Sequence, residues 1–133
     1  MKKYNLLVVD DEREILRSLT LTFAEEYEVF TASSGAEALE ILKQRKIALV
    51  IADQRMPEMT GAELLEKIFQ IDPNIVRIIL TGYTDIASLI RAINDGHIYQ
   101  YITKPWERQE LRIIVKRALE SYELTLENQR LLN

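Results

Sequence analysis

The 133-residue chain carries 17 basic and 21 acidic side chains, a net charge of −4, and 47% hydrophobic residues. That length suits one domain with a real core, and the acidic balance opposes nonspecific binding to nucleic acid or an anionic membrane. No cysteine and a single histidine, His97, exclude disulfides, thiolate catalysis, Cys-containing zinc sites and multi-histidine metal sites.

In chain order, short runs of branched apolar residues alternate with segments of helical period. Asn5 to Val9 reads as a strand, and Ile15, Leu16, Leu19 and Phe23 form the stripe of a helix after it. Glu28 to Ala32 is a weaker strand, followed by the stripe Ala38, Leu39 and Leu42. Ile47 to Ala52 and Val76 to Leu80 are the most apolar runs, as expected of parallel strands covered on both faces. Between them lie Leu64, Leu65 and Ile68; after them come Ile86, Leu89, Ile90 and Ile93. Ile98 to Ile102 is the fifth strand, and a last helix takes in Leu111, Val115 and Ala118. Ser34 with Glu37 and Thr60 with Glu63 both fit the capping box at a helix start. Asp72-Pro73-Asn74 reads as a turn and Asp95-Gly96 as a helix stop. Five βα units predict a parallel sheet with right-handed crossovers and helices on both faces. No run approaches the ~20 apolar residues of a membrane span and no signal-peptide core is visible, so the chain reads as cytoplasmic.

In such a sheet, ligands bind beyond the carboxyl ends of the strands. The first strand ends in Asp10-Asp11-Glu12, the third in Asp53, the fourth in Thr81 and the fifth in Thr103-Lys104-Pro105. Singly, each has a plain structural use, the aspartates as helix caps and Lys104 as a solvated charge. Together they gather three carboxylates at one rim, which repel one another unless a cation joins them. A hard ion such as Mg2+, with Mn2+ as a substitute, meets that need, and Lys104 adds positive charge. A carboxylate beside Mg2+ and a lysine suits attack on phosphorus. Asp53 is the better nucleophile, because it stands alone while Asp10 and Asp11 are placed to hold metal. The glycines form neither a dinucleotide fingerprint nor a P-loop, so a partner would bring the phosphoryl group.

Val8-Val9-Asp10-Asp11, Asp53 through Gly61, Leu80-Thr81-Gly82 and Tyr101-Ile102-Thr103-Lys104-Pro105 together resemble the receiver domain of two-component response regulators. The resemblance covers residues 4 to about 120 and implies a flavodoxin-like five-stranded sheet of order 2-1-3-4-5. It implies Asp53 as phosphoacceptor from a sensor histidine kinase or phosphotransfer protein, in a phosphorelay switch rather than an independent enzyme. Asp10, Asp11, Asp53 and the backbone carbonyl of Arg55 are the implied metal ligands. Lys104 would pair with phosphate, Thr81 and Tyr101 would switch, and Lys104–Pro105 would be cis. The face of the fourth helix, fifth strand and fifth helix would then change partner. Arg55 and Tyr83 are expected to overhang the site and set water access to the phosphoryl group. His97 is expected to be solvated or capping, with Pro57 and Trp106 in loop packing. The DQRMP and LTGYTD segments resemble receivers attached to sigma-54-dependent activators or HD-GYP phosphodiesterases. A C-terminal effector, with transcription regulation among its outputs, is the implied partner in a longer protein.

The receiver is expected over residues 1–120, with 121–133 as a helical extension or linker. Leu119, Tyr122, Leu126 and Gln129 recur there at coiled-coil spacing, favouring a homodimer over a connector helix. A flavin carrier on the same fold is disfavoured, because the acids would repel a flavin phosphate. A docking module without phosphorylation and an independent hydrolase fit the acid, Thr and Lys set less well.

Overall fold

The computed structural model describes residues 2–132. The elements run β1 (Asn5–Val9), α1 (Arg13–Phe23), β2 (Glu28–Ala32), α2 (Gly35–Gln44), β3 (Leu49–Asp53), α3 (Gly61–Ile71), β4 (Val76–Thr81), a 3-10 turn (Tyr83–Asp85), α4 (Ile86–Asn94), β5 (Gln100–Thr103) and α5 (Arg108–Leu132). All ladders are parallel and the sheet order is β2-β1-β3-β4-β5. This is the flavodoxin-like order, with the chain reversing direction across the sheet between β1 and β3.

Period-two alternation in the central strands divides the core. Leu6, Val8, Leu49, Ile51, Ile78 and Leu80 face α1 and α5, where they meet Leu19, Phe23, Leu111 and Val115. Leu7, Val9, Val50, Ala52 and Ile79 face the other way, onto Ala38 of α2, Leu64 and Ile68 of α3, and Leu89 of α4. Both sides of β1, β3 and β4 are thus covered, which explains their unbroken apolar sequences.

Two strand starts differ from the sequence expectation. β3 begins at Leu49 and β5 at Gln100, two residues later than the apolar runs imply. Ile47 and Ile98 are buried while still in the approach to the sheet, so burial alone extends the pattern. The two capping signals also part company. At α3 the box is complete: the Glu63 N–H donates to Thr60 Oγ1 and the Thr60 N–H to the Glu63 carboxylate. At α2 the Glu37 N–H donates to Ser34 Oγ, but the Glu37 carboxylate accepts from the Ser33 hydroxyl and N–H instead. His97 is a cap but is not solvated. Its N–H donates to the Ala92 carbonyl at 2.9 Å, closing the end of α4 after Gly96, while its side chain is half-buried, with Nδ1 paired to Glu66 and its ring 4.4 Å from that of Phe69.

The C-terminal stripe is covered by its own chain. Leu119 and Tyr122 belong to the core on the α1–α5 side, and Leu126 packs against it. Tyr4 meets Tyr122 edge-on at 6.1 Å and donates its hydroxyl proton to Glu123 at 2.6 Å. Gln129 exchanges two hydrogen bonds with Asn74, at 3.0 and 3.1 Å. The stripe expected to seek a second copy is therefore occupied within the monomer. The ends of the expected segments, Met1 and Asn133, lie outside the described residues. Among those described, no helix is long and apolar enough to cross a membrane.

Candidate functional site

The carboxyl ends of β1, β3, β4 and β5 bring the expected residues to one rim. In the β3–β4 ladder Asp53 stands beside Leu80, and in the β4–β5 ladder Thr81 stands beside Thr103. Backbone bonds continue past the strands, from Gln54 N–H to the Leu80 carbonyl and from Lys104 N–H to the Thr81 carbonyl, each 2.9 Å. These fix the Asp53, Thr81 and Lys104 backbones relative to one another. Gly61, the first residue of α3, sits against the Asp53 carbonyl, and any Cβ there would collide with it. Only glycine allows α3 to start that close to the site.

Asp10, Asp11 and Asp53 each present a carboxylate oxygen such that the three lie within 4.8 Å of one another. Asp10 and Asp53 are buried, and Asp11 opens to solvent. Asp10 Oδ1 accepts the Glu12 N–H at 2.9 Å, whereas Oδ2 is buried without a hydrogen-bond partner. Lys104 Nζ pairs with Asp53 and lies 3.9 Å from that orphaned Asp10 oxygen. Burial, aided by the nearby Asp53 charge, pushes the Asp10 carboxyl up to about 6. Burial pulls the Lys104 ammonium down, but the Asp53 hydrogen bond and charge outweigh it, and the net direction is up. An orphaned buried oxygen among three carboxylates fits a hard, oxygen-seeking cation, for which it would be a ligand.

The remaining site residues divide. Thr81 is buried and its hydroxyl donates to the Gly82 carbonyl at 3.1 Å, not to Asp53. Tyr101 lies on β5 with its ring partly exposed, and the Lys104–Pro105 bond is cis. Tyr83 projects into solvent at 75% exposure. The Arg55 Nε and Nη2 donate to the two oxygens of Asp85, at 2.8 and 3.1 Å. Trp106 packs against the core edge, while Pro57 is exposed. Two residues escaped sequence reasoning. Gln54 holds the α3 start by accepting the Gly61 N–H at its backbone carbonyl and the Ala62 N–H at Oε1; its place beside Asp53 was the available signal. Asp85 gave none, since its partner is thirty residues away.

The response regulator receiver domain family matches residues 6–116. The chain belongs to that family. This receiver is 41% identical over 130 residues to the hydrogenase transcriptional regulatory protein HoxA of Cupriavidus necator, covering 98% of this chain and 27% of that one. It is 33% identical over 120 residues to sporulation initiation phosphotransferase F of Bacillus subtilis, covering 90% of this chain and 96% of that one. A solved signal receiver domain of an HD domain-containing protein from Pseudomonas fluorescens superimposes with a TM-score of 0.88 at 36% identity, over 96% of this chain and 94% of that one. Regulators of transcription and HD-domain proteins, the two kinships expected from the sequence, thus both occur among the relatives. The chain spans about a quarter of the two HoxA relatives, 27% and 26%. Receiver domains are regulatory signalling domains that partner with histidine kinases and generally bind Mg2+.

Proposed function

We propose that this receiver takes a phosphoryl group onto Asp53 from a phosphohistidine of a sensor kinase or phosphotransfer protein. The observation that carries the reading is the Asp53 carboxylate, buried against Lys104 and beside the unpartnered Asp10 oxygen. In the transfer, an Asp53 oxygen bonds to phosphorus as the phosphorus–nitrogen bond breaks, and its electron pair returns to the imidazole. Asp10, Asp11, Asp53 and the Arg55 carbonyl would hold Mg2+, which when bound offsets negative charge on the transferred oxygens. Lys104 orients Asp53 and then pairs with the phosphoryl group. Thr81 gives up the Gly82 carbonyl for a phosphoryl oxygen, and Tyr101 turns inward into the space left. The α4–β5–α5 face then favours a different partner, an output domain of a longer protein being the first candidate. A groove of about 610 Å3 beside Lys104, lined by Ile15, Leu21 and Trp106, offers the phosphodonor an apolar seat. The packing of Tyr122 and Leu126 supports a receiver that ends beyond residue 120, with the linker confined to the last turns.

Intact mass spectrometry with acetyl phosphate tests the acceptor. With Mg2+ or Mn2+ the wild type gains one phosphoryl mass and Asp53→Asn gains none; equal labelling of both removes Asp53. Arg55→Ala and Tyr83→Ala are expected to change the dephosphorylation rate, because both residues belong to the loops that follow Asp53 and Thr81. Unchanged rates in both variants return them to solvated surface residues.

A further inference from the structure

The Arg55–Asp85 pair links the loop after the phosphoacceptor strand to the start of α4. Asp85 closes the 3-10 turn and stands at the N-cap position of α4, a place where aspartate ordinarily accepts the N–H of the second or third helical residue. Here it makes no such bond, and its backbone, φ −100° and ψ −5°, is helical rather than extended. Gly82, before the 3-10 turn, has no side chain to offer. The first turn of α4 is therefore uncapped by any side chain, because the Asp85 carboxylate is occupied by Arg55.

That occupation is easily reversed. The Arg55 side chain is 76% exposed, and exposed ion pairs shift equilibria by about fivefold or less. A phosphoryl group on Asp53 would carry close to two negative charges and three acceptor oxygens, against one charge on Asp85. Arg55 follows Asp53 by two residues, a span of at most ~7 Å, so its long side chain reaches either anion.

We propose that Asp85 is a positioning residue with two partners: it holds Arg55 while Asp53 is free, and turns to cap α4 when a phosphoryl group draws Arg55 away. The turn moves the Asp85 backbone to the extended conformation of a capping residue, and the 3-10 turn Tyr83–Asp85 unwinds. The event at Asp53 thus reaches α4 by a route separate from Thr81 and Tyr101. The inference rests on the phosphoacceptor reading above.

Amide hydrogen exchange of Ala87 and Ser88, followed by NMR on the full chain, tests it. Beryllofluoride with Mg2+ serves as the phosphoryl mimic, and the fluorine signal reports separately whether the adduct forms. In the wild type the adduct should slow both amides about fivefold, the usual effect of one cap. Arg55→Ala should show the same slowing with no mimic present, because Asp85 is already free. Asp85→Ala should show it in neither state while still forming the adduct. An adduct in the wild type with unchanged Ala87 and Ser88 exchange overturns the proposal and leaves the phosphoacceptor reading standing. Failure of the wild type to form any adduct sinks that reading, while Arg55→Ala without mimic still decides whether Asp85 caps α4.

Discussion

The two basic residues most deeply set in the domain are held in opposite ways. Lys104 answers carboxylates at the upper rim, whereas Arg77, 6% exposed in β4, has no carboxylate hydrogen-bonded to it. Its guanidinium donates to the carbonyls of Pro73, Ile75, Gly96 and His97 and lies 5.0 Å over the Phe69 ring. It thereby ties the turn before β4 to the turn after α4 at the end of the sheet away from Asp53. The sequence concealed this, since Val76-Arg77-Ile78 reads as a charge interrupting an apolar strand. A charge taken out of water needs its donors satisfied, and here four carbonyls do it. Arg77→Met removes the donor from all four, at a cost of about 3 kcal/mol. Urea unfolding should show a lower midpoint with an unchanged slope. Arg77→Lys should recover little, because a single ammonium cannot span the carbonyls that a planar guanidinium reaches.

Among the elements, the strands and the first four helices were legible because each repeats one physical pattern over its length. Leu7 and Val9 turn one way and Leu6 and Val8 the other, so burial on both faces is written directly into β1. α5 was legible only in part. The spacing of Leu119, Tyr122 and Leu126 states that one helix face is buried, but nothing in it names the covering surface. That surface is Tyr4, ahead of β1, and the turn at Asn74, both distant in sequence. Capping at α2 was misread for a similar reason: Ser33 competes with Ser34 for Glu37. The packing of α5 makes its extension part of the receiver's stability. Tyr122→Ala opens a cavity beside Tyr4 and should cost about 3 kcal/mol. A chain ending at Glu120 should melt at a lower temperature for the same reason. Leu126→Ala should lower stability without changing the sedimentation coefficient of the full chain. If it dissociates a dimer, the stripe has a second occupant.

Across the whole molecule, the acidic rim opposes the fold that carries it. The sequence placed Asp10 at the end of β1, but its depth became visible only when β2 and β3 were set on either side of that strand. Burial raises its carboxyl from 3.8 to about 6, so the folded state binds more protons than the unfolded state between those values. Stability contributed by this group is therefore full below about pH 4 and lost as pH rises through about 6. The loss is on the order of 3 kcal/mol at neutral pH. Other carboxylates run the opposite way: Asp85, Glu63 and Glu123 are all held below their ordinary values by hydrogen bonds to Arg55, Thr60 and Tyr4. A bare pH profile mixes the two, and comparison with Asp10→Asn separates them. Without divalent metal, the variant and wild type should be of similar stability near pH 4. The variant should then become the more stable as pH rises past 6, since its amide carries no charge to bury. Adding Mg2+ at about a hundred times its dissociation constant should stabilise the wild type by about 2.7 kcal/mol and close much of that gap. The variant, lacking one ligand, should gain less. Chemical unfolding at pH 4 and pH 7.5, with EDTA and with Mg2+, supplies all of these comparisons. A wild type that remains as stable as Asp10→Asn at pH 7.5 in EDTA would show that the fold tolerates the buried charge without a cation.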